Sequence, residues 1–198
     1  MKQLFIVFLT TLLSFFACTQ EKEKTAEPVN TEKSMFEEFK EQTTRNPEDA
    51  EAWYHLADLY ERSGMYREEV DALKHVIALN PDRGYAYMKL GSAYNRLGEH
   101  ENAIKQYASA KKYLPKDPVL YNNLGVTYGK IGKSDDEIRA LETAISIRPR
   151  YATARYNLGM AFLKKGNRDL ALRQYDELTK FDQGIANALK KEIDAKRK

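Results

Sequence analysis

The sequence is poor in cysteine, in histidine and in long apolar stretches. Its 198 residues include one cysteine, Cys18, so no internal disulfide can form and no set of thiolates can hold a metal. The three histidines, His55, His75 and His100, have no metal-ligand spacing between them. There is no HExxH run, no glycine-rich phosphate loop and no nucleophile elbow. Lysine and arginine number 32 against 29 aspartates and glutamates, a net charge of +3. So even a balance gives no basis for nucleic acid as a partner. These absences lead us to expect a protein that is no enzyme, has no metal site or cofactor, and acts on no small-molecule substrate.

The longest apolar run extends from Leu4 to Ala17 and is broken only by Thr10, Thr11 and Ser14. It falls short of the roughly 20 residues that span a bilayer but suits the core of a signal peptide. Lys2 gives it a positive start, and after Ala17-Cys18 the chain turns polar at Thr19-Gln20-Glu21-Lys22. A small residue directly before a cysteine at the end of such a core resembles the bacterial lipoprotein box. The resemblance implies a leader over 1–17 that is cut before Cys18. Cys18 would then carry fatty acyl chains, palmitate among them, enough to hold the protein firmly at a membrane. The box is relaxed, because Phe15 and Phe16 stand where that family prefers leucine and a small residue. Ordinary secretory cleavage fits less well, since Phe15 would occupy a small-residue position. By that family's rule for bacteria with two membranes, Thr19, not being aspartate, implies the outer membrane of the cell envelope. Residues 18–30 are charged, apolar-poor and contain Pro28, the composition of a flexible tether.

What the chain has in abundance is repetition. Tyr87, Leu90, Gly91, Tyr94, Gly98, Ala103, Tyr107 and Pro115 return 34 residues later as Tyr121, Leu124, Gly125, Tyr128, Gly132, Glu137, Leu141 and Pro149. Upstream they appear as Trp53, Leu56, Ala57, Tyr60, Gly64, Glu69, Leu73 and Pro81, and a worn copy gives Leu158, Gly159, Phe162, Gly166, Ala171 and Tyr175. This period and pattern resemble the tetratricopeptide repeat, a helix-turn-helix unit. The resemblance implies an all-α fold over 31–198: a right-handed α-solenoid with repeats at 50–83, 84–117, 118–151 and 152–183. First helices are expected over 50–63, 83–97, 118–131 and 152–165, and second helices over 66–79, 100–113, 135–147 and 169–181. Met35-Phe36-Glu37-Glu38-Phe39 has a helical apolar face and reads as an N-terminal half-repeat covering the open end. Ile185, Ala188, Leu189 and Ile193 form the stripe of a capping helix over 184–197, which such arrays need to keep the end of the core dry.

Gly64, Gly98, Gly132 and Gly166 fall where each first helix ends and a left-handed residue is wanted. Gly91, Gly125 and Gly159 lie inside first helices at a cost of roughly 1 kcal/mol each. The expected reason is close approach of the second helix. Glu69 and Glu137 replace the small Ala103 and Ala171. The Ser134–Glu137 spacing predicts a capping box, and the helix dipole is the reason offered for Glu69. The same dipole accounts for the cations Arg62, Arg96, Lys130 and Lys164 at the ends of the first helices.

In tetratricopeptide repeat proteins the first helices line a concave wall. Carried over position by position, the residues facing the groove are Glu51, Tyr54, His55, Asp58 and Glu61 in repeat one and Tyr85, Met88, Lys89, Ser92 and Asn95 in repeat two. Repeat three supplies Val119, Asn122, Asn123, Val126 and Gly129, and repeat four Thr153, Tyr156, Asn157, Met160 and, at the edge, Leu163. Asn123 and Asn157, 34 residues apart, resemble the asparagine ladder with which some members hold a peptide main chain. Amides for a backbone, with tyrosine and methionine for side chains, suit an extended peptide or helix of a partner protein. The implied function is a lipid-anchored interaction module that helps assemble envelope complexes. The alternatives are a self-associating scaffold and an accessory adaptor for an envelope enzyme.

Overall fold

The computed structural model describes residues 31–196, so the leader, Cys18 and the tether lie outside the described residues. The chain divides into Met1–Met35 and Phe36–Lys198. Of the first unit only residues 31–35 are described, and they are helical. Among the described residues there are ten helices and no strand. In order they are α1 Thr31–Arg45, α2 Ala50–Arg62, α3 Tyr66–Leu79, α4 Gly84–Arg96, α5 His100–Tyr113, α6 Pro118–Lys130, α7 Ser134–Ile147, α8 Ala152–Lys164, α9 Arg168–Thr179 and α10 Gln183–Ala195. Each helix from α2 onward packs on the next, and α6 also meets both α4 and α8. That is the neighbour-only contact pattern of a helical repeat solenoid.

The helix starts follow the local sequence. Asp49 caps α2, its Oδ1 accepting from the Glu51 and Ala52 amides at 3.1 and 3.0 Å. Asp117 caps α6 in the same way, and Pro118 takes the first helical position, where no amide is needed. Arg83 and Tyr151 hold the equivalent places in the other two repeats and donate no side-chain cap. The first helices all stop by one device. Gly64, Gly98, Gly132 and Gly166 take φ between +71° and +80°. The amide just after each glycine donates back five residues, as Met65 to Tyr60 and Asn167 to Phe162, both at 2.9 Å. This is the Schellman closure, and a β-carbon would strain it.

Packing explains the mid-helix glycines. A β-carbon on Gly91 would stand 2.6 Å from the ring of Tyr107, and one on Gly125 would stand 2.7 Å from Leu141. Both neighbours lie on the following second helix, α5 and α7. Gly159 departs from the expectation, since its neighbour is Leu189 of α10, at 2.7 Å. Tyr175, at the position matching Tyr107 and Leu141, is only half-buried, and the cap supplies the ridge that this groove receives.

The cap packs on both α8 and α9 and buries Ala186, Leu189 and Ile193 completely. At the opposite end of the second unit, Phe36 meets Tyr60 at 5.3 Å and Phe39 stacks on His55 at 4.9 Å between ring centres. Gln42 of α1 also donates to Asp49, the cap of α2, at 2.7 Å.

Candidate functional site

The concave wall is built from α2, α4, α6 and α8, and polar bonds between successive repeats hold its side chains in place. In repeats one and two, the Arg83 guanidinium lies 3.9 Å above the Tyr54 ring centre and forms a fork with the Glu51 carboxylate, one arm at 3.1 Å. Tyr54 is thereby half-buried and fixed flat. Lys89 reaches back across the repeat boundary to Asp58 at 2.8 Å and to Glu61. Burial alone would lower its pKa, but hydrogen bonds to those carboxylates hold it above the ordinary lysine range.

Behind Lys89 stands Glu69, 1% exposed, with Oε2 lacking any hydrogen-bond partner. Burial pushes its carboxyl from the ordinary 4.5 up to about 7. The charges of Glu61 and Asp58 add to that rise, and Lys89 and Arg96 oppose it. Tyr85 stands out at 51% exposed. Met88 beside it leans on the core around Tyr107.

In repeats three and four, Asn122 is buried, and its Oδ1 accepts from Asn157 Nδ2 at 2.9 Å. Its own amide points to Asn123 Oδ1 at 3.5 Å, at the limit of a hydrogen bond. The three asparagines therefore meet, but the bond across the repeats joins Asn157 to Asn122 rather than to Asn123. Tyr156 and Met160 are half-buried against the core of the last two repeats. Leu163, expected at the edge of the groove, is 6% exposed and belongs to that core. Lys196 of the chain end donates to its carbonyl at 3.3 Å.

Glu137 corrects the sequence reading. Ser134 is the first residue of α7, the residue before it is Lys133, and no side chain caps that end. Glu137 instead turns into the concave wall, 4% exposed, and accepts from Lys164 Nζ at 3.1 Å. It fits because residue 129 is glycine, where a β-carbon would lie 2.4 Å from Glu137 Oε1. Val126, Gly129, Lys130, Glu137, Asn157, Met160 and Lys164 enclose a recess of about 160 Å³. Lys130, given only a dipole role by the sequence, bonds Asn95 Oδ1 at 3.1 Å. One signal could have exposed this site. The third repeat alone pairs a glycine at its twelfth position with a glutamate eight residues on.

The histidines are dispersed. His55 stacks on Phe39, His75 on Trp53 at 4.1 Å, and His100 Nδ1 meets Asn95 Oδ1 at 2.8 Å. Among the described residues, no group of three histidine, cysteine or acidic side chains is placed to hold a metal.

Family profiles described as tetratricopeptide repeat match residues 50–83 and 122–186, and one described as TPR repeat matches 91–132. The chain belongs to the tetratricopeptide repeat family. As a member it is a protein-interaction module on an all-α repeat solenoid. No curated protein matches it. Among solved structures it is similar to MamA, with 26% identity and a TM-score of 0.70 over 79% of this chain and 87% of that one. MamA from Desulfovibrio magneticus RS-1, residue 41 to the end, superposes with a TM-score of 0.73 at 18% identity, over 78% and 87% of the two chains. YrrB, described as a TPR protein with an unusual peptide-binding site, gives 0.70 at 22% identity, over 82% and 85%.

Proposed function

We propose that this tetratricopeptide repeat protein is a lipid-anchored adaptor of the bacterial cell envelope. Cys18 is the acylated residue, and the concave wall receives an extended peptide or a helix of a partner protein, assisting assembly of a complex. The observation that carries the groove reading is the preset concave surface. Tyr54 is held by Arg83 just before α4, and Lys89 and Asn157 each by a neighbouring repeat, before any ligand arrives, so little side-chain freedom remains to be lost on binding. Tyr85, Met88, Tyr156 and Met160 offer adaptable apolar contact beside them. YrrB, of similar fold, carries a peptide-binding site by its description. The anchoring half of the proposal rests on the apolar leader and the lone cysteine that ends it.

The experiment is photo-crosslinking in cells from a probe replacing Tyr156, with a control probe at the exposed second-helix position Lys105. A discrete adduct from Tyr156 alone supports the groove and identifies the partner by mass, an envelope enzyme included. Adducts from Lys105 alone, or a ladder of self-adducts, overturn it in favour of a self-associating scaffold. Cys18→Ser is expected to abolish labelling by a palmitate analogue and release the protein from the membrane fraction. Unchanged labelling would defeat the anchor.

A further inference from the structure

The recess between repeats three and four has a floor that lacks a donor. Glu137 is 4% exposed, its Oε1 takes the Lys164 ammonium at 3.1 Å, and its Oε2 has no partner. A buried carboxylate oxygen left unpaired is costly, and alanine stands at the same place in repeats two and four, as Ala103 and Ala171. Two of the four repeats therefore fold without a glutamate there, while repeat one carries Glu69, whose Oε2 is likewise unpaired. Making room for it also took a glycine at position 129.

We propose that this recess is a side-chain subsite of the groove that takes a carboxamide, the end of a glutamine or asparagine of the bound partner. The charges around it select a neutral group. A carboxylate would sit against the unpaired Glu137 oxygen, and an ammonium would face both Lys164 and Lys130, and like charges so placed repel. A carboxamide carries both functions that the walls call for. Its N–H donates to the Glu137 carboxylate, which lines the recess, while its carbonyl accepts from a lysine ammonium at the rim. Val126 and Met160 offer apolar surface to the methylene stem, and about 160 Å³ is room for one side chain rather than a strand of backbone. The proposal deepens the groove reading and rests on it.

The test is a titration of the isotope-labelled full chain with N-acetylglutamine methylamide, followed by NMR at Gly129 and Asn157. N-acetylalanine methylamide serves as the main-chain control, and the corresponding lysine and glutamate compounds as charged controls. The expected result is a saturable shift with Kd on the order of 1 mM for the glutamine compound. The alanine compound is expected to bind about fivefold more weakly. Glu137→Ala, which copies the equivalent residue of repeats two and four, should keep the fold and abolish the shift. An equal response to the alanine compound would make the site a main-chain one. Tighter binding of a charged compound, no saturation, or an unchanged response in Glu137→Ala would each overturn the proposal. A groove adduct from Tyr156 combined with any of these failures would remove the subsite and leave the groove.

Discussion

Tyr107 is 1% exposed and lies against the bare backbone of Gly91, where a β-carbon would stand 2.6 Å from Cε1 and 2.8 Å from Cδ1. A ring buried to this degree has nowhere to swing. Gly91→Ala gains helix propensity of about 1 kcal/mol but forces the helices apart, for an expected net loss of about 1–2 kcal/mol by urea unfolding. Tyr107→Leu in the same chain should recover part of that loss. If the two changes simply add, the contact is not the cause.

Glu69 gives the stability a pH dependence. Its folded pKa is raised from 4.5 to about 7, chiefly by burial. Below 4.5 folded and unfolded chains both hold the proton. As pH climbs through the interval the unfolded chain releases it first, and stability falls until the folded carboxyl ionises near 7. The loss is on the order of 3 kcal/mol. Glu69→Gln should unfold at nearly the wild-type temperature at pH 4.5 and at a higher one at pH 8. Equal melting shifts at both pH values would refute this.

Lys89 should matter most where Glu69 is charged. Removing its ammonium leaves Asp58 and Glu61 without their shared counter-ion. Lys89→Met is expected to cost about 1–2 kcal/mol at pH 8 and less at pH 5, where the neutral Glu69 adds no further repulsion. A pH-independent cost would instead assign its role to packing of the aliphatic stem.

Asp117 is a simpler case. It satisfies the Val119 and Leu120 amides at 2.7 and 3.3 Å. Asp117→Ala should lower stability by about 1 kcal/mol without altering the far-ultraviolet helical signal of the folded state. Asp117→Asn should restore most of the loss.

The sequence carried the helices because their signals are local. Glycine at the left-handed position and aromatic and small residues at helical spacing each act within a turn or two. Helix ends accordingly fall within two residues of expectation. The concave wall was less legible. Asn122 and Asn157 pair across 35 positions, a relation that depends on how one repeat rotates against the next. Glu137 misled because Ser-x-x-Glu also spells a cap, and Gly129, eight residues upstream, decided the outcome by giving the carboxylate room to turn inward. Gly159 misled for the same reason, since its partner Leu189 comes from outside the repeat.

The two ends of the stack differ in a way that orders its opening. Leu189 is wholly buried against Gly159, and α10 grips both α8 and α9, while α1 meets α2 through Phe36 and Phe39. In a linear array of units, each stabilised only by its neighbours, fluctuations begin at the weaker boundary. Amide exchange is therefore expected to be fastest in α1 and α2 and slowest in α8 and α10. The repeat carrying Tyr54 is then expected to open more often than the recess beside Glu137.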